Sequence, residues 1–351
     1  MREHRCDILV IGAGPAGASA AQRAAEAGTK VLLIDRKPVP GEPVRCAEFI
    51  PGQLLGELEC GKKFIVQPVR GMKSILPDGN RAETPAPGLM IDRNILDQAL
   101  AAKALEAGAD IWTGTRALSF DGEKVIVKKE SELLSIKAGI IIGADGPHTR
   151  AGRWINSPNN NLIPAIQVKV SLKRPLDCTE VYFEKRFYGG YAWLFPKGNI
   201  ANAGLGMKRQ SGLKELIIHL DYFIKKLREK NRITGEISGY TAGWMPAEFP
   251  RKIVRGNIML AGDAAGQTHP ITGAGVAQAV IGGSMAGTWA AEAVRKDDTR
   301  ILAEYENEWL DIYGESQERA AKRRRFMEAN WDDLDKIIRK CWVVFKDYYK
   351  G

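Results

Sequence analysis

The stretch DILVIGAGPAGASAAQRAAEAGTKVLLID, residues 7–35, leaves a chain few choices of fold. Four consecutive apolar residues at 8–11 predict a strand buried on both faces. Gly12, Gly14 and Gly17 follow as GxGxxG, an alanine-rich segment reads as a helix, and an apolar run at 31–34 predicts a second strand ending in Asp35. In such a βαβ unit Gly12 turns the chain, Gly14 lets a pyrophosphate approach the backbone, and Gly17 packs helix on strand. The helix N-terminus then faces the phosphates, and Asp35 can accept from both ribose hydroxyls. Ala16 and Arg36 are counted with this loop as cofactor contacts. The unit predicts a bound dinucleotide, NAD or FAD, and the acid argues against a 2′-phosphate.

Two more glycine sites narrow that choice. AGIIIGADGPHTRAGRW, residues 138–154, is another buried strand followed by Asp145 and Gly146. GNIMLAGDAAGQTHPITGAGVAQAVIGG, residues 256–283, places Gly262 and Asp263 behind a strand, then a glycine-rich loop and a small-residue helix from about 275. A carboxylate directly behind a buried strand can hold the ribityl hydroxyls of FAD, which NAD lacks. With these three segments the chain resembles the FAD-dependent superfamily that contains the para-hydroxybenzoate hydroxylase type of flavoprotein. The resemblance implies Asp35 on the adenosine ribose, Asp145 and Gly146 beside the cofactor, and Gly262 and Asp263 at the ribityl chain. It implies Thr272, Gly273, Ala274, Gly275 and Val276 along the isoalloxazine edge. Arg93, in LMIDRNILDQAL, stands where that group often carries an arginine near the flavin.

Between 166 and 244 the pattern alternates instead. IQVKVSL, TEVYFEK and YAWLFP predict antiparallel strands with one wet face, forming a second sheet over the flavin, with Tyr191, Trp193 and Phe195 on one apolar face. A helix is expected over 212–230, with Leu213, Leu216, Ile217, Leu220, Ile224 and Leu227 as its core stripe. In YGGYAWLFPKGNIANAGLG, residues 188–206, Tyr191, Trp193, Phe195, Pro196 and Lys197 form YxWxFPK, and Gly204 and Gly206 form GxG. This resembles the marker of the geranylgeranyl reductase family, and VRCAE, residues 44–48, resembles that family's cysteine loop. The resemblance implies FAD-dependent saturation of isoprenoid double bonds, in archaea those of digeranylgeranylglycerol phospholipids and elsewhere geranylgeranyl chains of diphosphate or chlorophyll precursors. Hydride would come from reduced flavin N5 and a proton from Cys46, Tyr191 or a water near His269, with Cys46 ranked first. Arg45 and Ala47 join Cys46 at the cofactor. Tyr191, Trp193 and Phe195 would line the prenyl chain, and Lys197 would either attract a phosphate head group or end a strand. The external electron donor is NAD(P)H or reduced ferredoxin. Two rivals are a flavin monooxygenase hydroxylating a small aromatic ring and an electron-transfer flavoprotein reducing a quinone.

The fold class expected is α/β. A Rossmann-like FAD-binding domain takes residues 1–165 and 252–293, with 59–88 able to join the other unit. An antiparallel-sheet substrate domain takes 166–251, and a helical C-terminus takes 294–351. The five cysteines are odd in number and lack a CxxC pair, so neither zinc nor a disulfide framework is expected, and all but Cys46 read as buried. The net charge of +9 calls for an anionic partner, and no nucleic-acid motif accompanies it. The N-terminal residues lack a secretory pattern and no apolar run spans a bilayer, which predicts a cytoplasmic protein, peripheral on the inner face of the cell membrane. AAKRRR, residues 320–325, precedes Leu334, Ile337, Ile338, Cys341, Trp342, Phe345 and Tyr348 at helical spacing. That pattern is an amphipathic helix able to lie on an anionic membrane or to pack on its own domain.

Overall fold

The structure is a computed structural model that describes residues 2–208, 213–248 and 252–350. The apolar run Ile8 to Ile11 has no polar side chain to offer water, and its strand, Arg2–Ile11, runs through the middle of the first sheet. It lies parallel to Val31–Ile34 on one side and Glu132–Gly143 on the other. The order across this sheet is Val254–Arg255, Ile258–Leu260, Glu132–Gly143, Arg2–Ile11, Val31–Ile34 and Asp110–Trp112. A hairpin of Thr115–Phe120 and Lys124–Lys129 continues from Glu132–Gly143. Helix Pro15–Glu26 packs along helix Val276–Lys296, whose small residues allow close approach to the backbone at Ala16 and Ala20.

The second sheet is wider than residues 166–251. Its order is Ile233–Pro246, Leu162–Leu172, Ile200–Gly206, Tyr191–Lys197, Cys178–Tyr182, Ile65–Ile75, Arg81–Ile91 and Phe49–Pro51. All neighbours are antiparallel except Cys178–Tyr182 with Ile65–Ile75. The expected wet face is absent around the aromatic strand Tyr191–Lys197, because both sides are covered. On one side helix Leu213–Glu229 sets Leu216, Leu220, Phe223, Ile224 and Leu227 against Val168, Leu194 and Leu205. Ile217, expected in that stripe, is 45% exposed. Gly212, the expected helix start, and the Leu213 side chain lie outside the described residues. The other side carries Trp193 and Phe195, which pack with Ile271, Trp331, Leu334, Ile338 and Trp342.

The C-terminus is helical, in pieces: Ala303–Trp309, Glu315–Ala329 and Leu334–Cys341. Of the amphipathic helix expected over 334–348, only Leu334–Cys341 is an α-helix, and it packs on its own chain, one of the two placements expected for it. Its apolar stripe is consumed in covering the aromatic strand, and the backbone turns extended at Trp342 so that the indole reaches inward. Trp342 meets Phe183 and Tyr191 with ring centroids 4.9 and 5.4 Å apart, and its Nε1 donates to Ser74 Oγ at 2.9 Å. Burying side chains of this kind stabilises by about 1.5–3 kcal/mol each, which favours packing on the chain itself. Among the described residues no helix is long and apolar enough to cross a membrane. Cys6, Cys178 and Cys341 are buried as expected, while Cys60 is only half-buried.

Candidate active site

At the glycine loop of the first sheet, close approach decides the sequence. A Cβ on Gly17 would fall 1.7 Å from Gly12 O, so only glycine lets the helix begin this near the strand. Helices Pro15–Glu26 and Val276–Lys296 both start, after Gly14 and Gly275, without a side-chain cap. Their first amides therefore offer donors and a positive dipole end to an anion. Asp35 is buried at the end of its strand, its carboxylate accepting from Ala13 N and Lys37 N at 2.7 Å each. Arg36 is exposed.

Asp263 follows Gly262 behind the strand Ile258–Leu260. Burial raises its pKa, while the hydrogen bond from Thr268 Oγ1 at 2.5 Å and the nearby Arg93 oppose the rise. Gly262 N donates to Gln267 Oε1 at 2.6 Å, and Gln267 Nε2 donates to Tyr305 Oη at 2.8 Å, which fixes the loop after the strand. His269 Nδ1 accepts from Ile271 N and Thr272 N at 3.3 and 3.2 Å, and burial lowers this imidazole to about 4. The neutral ring thus shapes the 271–276 segment, with Thr272, Gly273, Gly275 and Val276 half-buried and Ala274 exposed. Asp145 is placed differently from the other acids. Its carboxylate accepts from Thr149 Oγ1 at 2.6 Å and Arg150 N at 2.5 Å, so it serves the start of helix Arg150–Trp154, with Gly146 turning beside it at φ +82°. Two uncapped helix starts and a desolvated carboxylate behind a strand fit FAD.

The second sheet closes over that loop. Tyr191 Oη donates to the Thr272 carbonyl oxygen, and burial holds the phenol above its ordinary range. In this arrangement the Tyr191 hydroxyl holds the 271–276 segment to the aromatic strand. Trp193 is buried and lies across Gly204, where a Cβ would come 2.5 Å from the indole; this is why the GxG segment faces the aromatic strand. Phe195 meets Phe49 edge-on at 6.3 Å. Between this wall and the 270–273 segment lies a narrow apolar crevice, lined by Tyr191, Trp193, Met245, Pro246 and Ile271.

Lys197 does not reach out to a phosphate. It is buried, with Nζ 2.7 Å from Glu48 Oε2 and 2.6 Å from Asp92 Oδ1, so its charge is neutralised inside the protein. Cys46 is half-buried and its Sγ accepts from Glu48 N at 3.2 Å. Beside the thiol stands Arg93. Burial acts against its charge, but Asp97, at 2.9 Å from Nε, and Cys46 hold the guanidinium pKa above the ordinary value. Arg45 is exposed, and Ala47 packs half-buried with the aromatic cluster.

Three residues of the site carried no sequence signal. Gln167 and Asn202 grip the cysteine loop. Arg324, one of the basic run at 320–325, is buried and donates to Pro270 O at 2.9 Å and Gly189 O at 2.6 Å, tying the C-terminal helix to both walls of the crevice. A basic triplet on a helix reads as solvated until the partner surface is known.

Residues 7–43 match the family model of FAD dependent oxidoreductases, and residues 164–243 match that of the geranylgeranyl reductase catalytic domain. A digeranylgeranylglycerophospholipid reductase of Methanococcoides burtonii is 35% identical over 94% of this chain and 86% of its own length. One from Methanothermobacter thermautotrophicus is 35% identical over 94% and 89%. A solved geranylgeranyl bacteriochlorophyll reductase-like protein of Thermoplasma acidophilum shares a TM-score of 0.85 at 28% identity, over 98% of this chain and 92% of that one. A flavin-dependent brominase, at 19% identity and a TM-score of 0.74, shares the fold alone. Glycine loop, buried acid and aromatic strand fall within one relationship along nearly the whole sequence, and the chain belongs to the geranylgeranyl reductase family of FAD-dependent oxidoreductases.

Proposed function

We propose that this protein saturates carbon–carbon double bonds in the geranylgeranyl chains of archaeal-type digeranylgeranylglycerol phospholipids. The observation that carries the reading is the apolar crevice between the aromatic strand and the 270–273 segment, whose aromatic and aliphatic lining suits the methyl-branched alkene units of a prenyl chain and offers little to a small polar ring. The names of the phospholipid reductases aligned above support the substrate class.

Bound FAD, reduced by an external donor, supplies hydride to one alkene carbon. Because an isolated alkene is electron-rich, a residue of this chain must deliver a proton to the other carbon as the hydride arrives. Cys46 is the group assigned to it: the S–H proton passes to carbon, and the sulfur left behind is met by Glu48 N–H and the Arg93 guanidinium before solvent restores the proton. Tyr191 and His269 hold the 271–276 segment in place, and Trp193 with Phe195 excludes water.

Mass spectrometry of lipid extracts, from cells supplying an unsaturated archaeal lipid precursor together with this protein, should show gains in steps of two hydrogens. Turnover that needs oxygen and a small phenol would instead make the protein a monooxygenase.

A further inference from the structure

The cysteine loop is held far more firmly than a surface turn requires. Three consecutive main-chain carbonyls of the loop each have a donor from elsewhere: Cys46 O from Gln167 Nε2 at 2.8 Å, Ala47 O from Asn202 Nδ2 at 3.2 Å, and Glu48 O from Ile91 N at 2.9 Å. Gln167 and Asn202 leave their own oxygens buried without a hydrogen bond among the described residues, a cost borne while their amide groups point at the loop. Glu48 takes φ +69°, a conformation side chains other than glycine rarely adopt, and this turn aims its N–H back at Cys46 Sγ. Its buried carboxylate joins three elements. Oε1 accepts from Arg93 N at 3.0 Å, capping helix Arg93–Glu106, whose own preceding residue Asp92 makes no side-chain cap. Oε2 accepts from Lys197 Nζ at 2.7 Å on the aromatic strand and from Asn202 Nδ2 at 2.9 Å on its neighbour.

We propose that Glu48 is the positioning residue of the active site, fixing the Cys46 thiol relative to Arg93 and to the aromatic wall by clamping the loop to one helix and two strands. This rests on Cys46 as proton donor and adds the group that makes its placement reproducible. Glu48 itself touches no reacting atom.

The test compares wild-type holoenzyme with Glu48→Gln, and with Glu48→Gln/Lys197→Met, in which both buried charges are removed. Three readouts are followed: flavin absorbance, the alkylation rate of Cys46 by iodoacetamide mapped by peptide mass spectrometry, and kcat and KM with a geranylgeranyl lipid. Retained flavin, alkylation changed at least fivefold, kcat reduced at least tenfold and KM nearly constant are expected in whichever variant folds. Unchanged alkylation with flavin retained overturns the proposal, as does a protein that neither variant allows to fold, since Glu48 then serves the fold. Cys46→Ser separates the two ideas. Full turnover by that variant removes Cys46 as donor, whereas the alkylation result still reports whether Glu48 places the loop.

Discussion

Lys197 ends the aromatic strand with two carboxylates around its ammonium and almost no water. Removing one member of a buried pair is worse than never having had it, because the remaining charge stays desolvated. Lys197→Met is therefore expected to lower stability by about 3–5 kcal/mol, seen as a reduced urea midpoint at unchanged slope, and adding Glu48→Gln should restore a large part of that loss. At this scale the sequence was readable where chemistry is local. Gly12, Gly17 and Asp263 declare themselves because a tight turn, a close approach or an acid behind a strand demands one residue type. Glu48 and Lys197 do not, since their meaning depends on a partner 149 residues away along the chain. Arg324 was hidden for the same reason, and the hydrogen bonds of Asp145 to the next helix were not legible, because an acid after a strand can serve that helix as well as a cofactor.

The loop between Ile258–Leu260 and Val276–Lys296 acts as one mechanical element, with His269 as its internal brace. Protonating Nδ1 would abolish both acceptor bonds. The folded imidazole titrates near 4, below the unfolded value near 6.5, so its contribution to stability is complete above about pH 6.5 and is lost as pH falls toward 4. Between pH 7 and pH 5 the contribution is roughly 2 kcal/mol. Equilibrium unfolding at the two pH values should show that loss in the wild type and not in His269→Asn; an identical loss in both would place the titration elsewhere. Among elements, the βαβ unit and the aromatic strand were legible from apolar runs. The hairpin Ile65–Ile75 and Arg81–Ile91 was less so, because Pro68, Pro85 and Pro87 argue against strands away from an edge. In the tail the helical spacing of Leu334 to Cys341 was read correctly, but spacing cannot tell lipid from a neighbouring aromatic sheet as the apolar partner.

For the molecule as a whole, a net charge of +9 remains while the tail's apolar residues are already committed inside. Attraction to an anionic membrane then has to be electrostatic. Co-sedimentation with phosphatidylglycerol vesicles is expected at low salt and should vanish near 1 M, where the screening length is about 3 Å; retention at high salt would show that the tail inserts. The α/β class and the two-sheet plan were both evident in the change from continuous to alternating apolar patterns, and the split of the first unit with 59–88 free to join the second was expected, whereas the part played by Phe49–Pro51 was not.

That sharing limits how the protein can be dismantled. Strands Phe49–Pro51, Ile65–Ile75 and Arg81–Ile91 leave the first sheet's run to join the second, and Ile258–Leu260 returns to the first after the second is finished. The second sheet is complete once synthesis has passed residue 246, but the first waits until residue 260, so no contiguous fragment that lacks the second sheet carries the first one whole. The cofactor platform is consequently not a detachable module: a graft or a split-protein design must move both sheets together, and long-range pairing of this kind makes folding slow enough for the nascent chain to need protection.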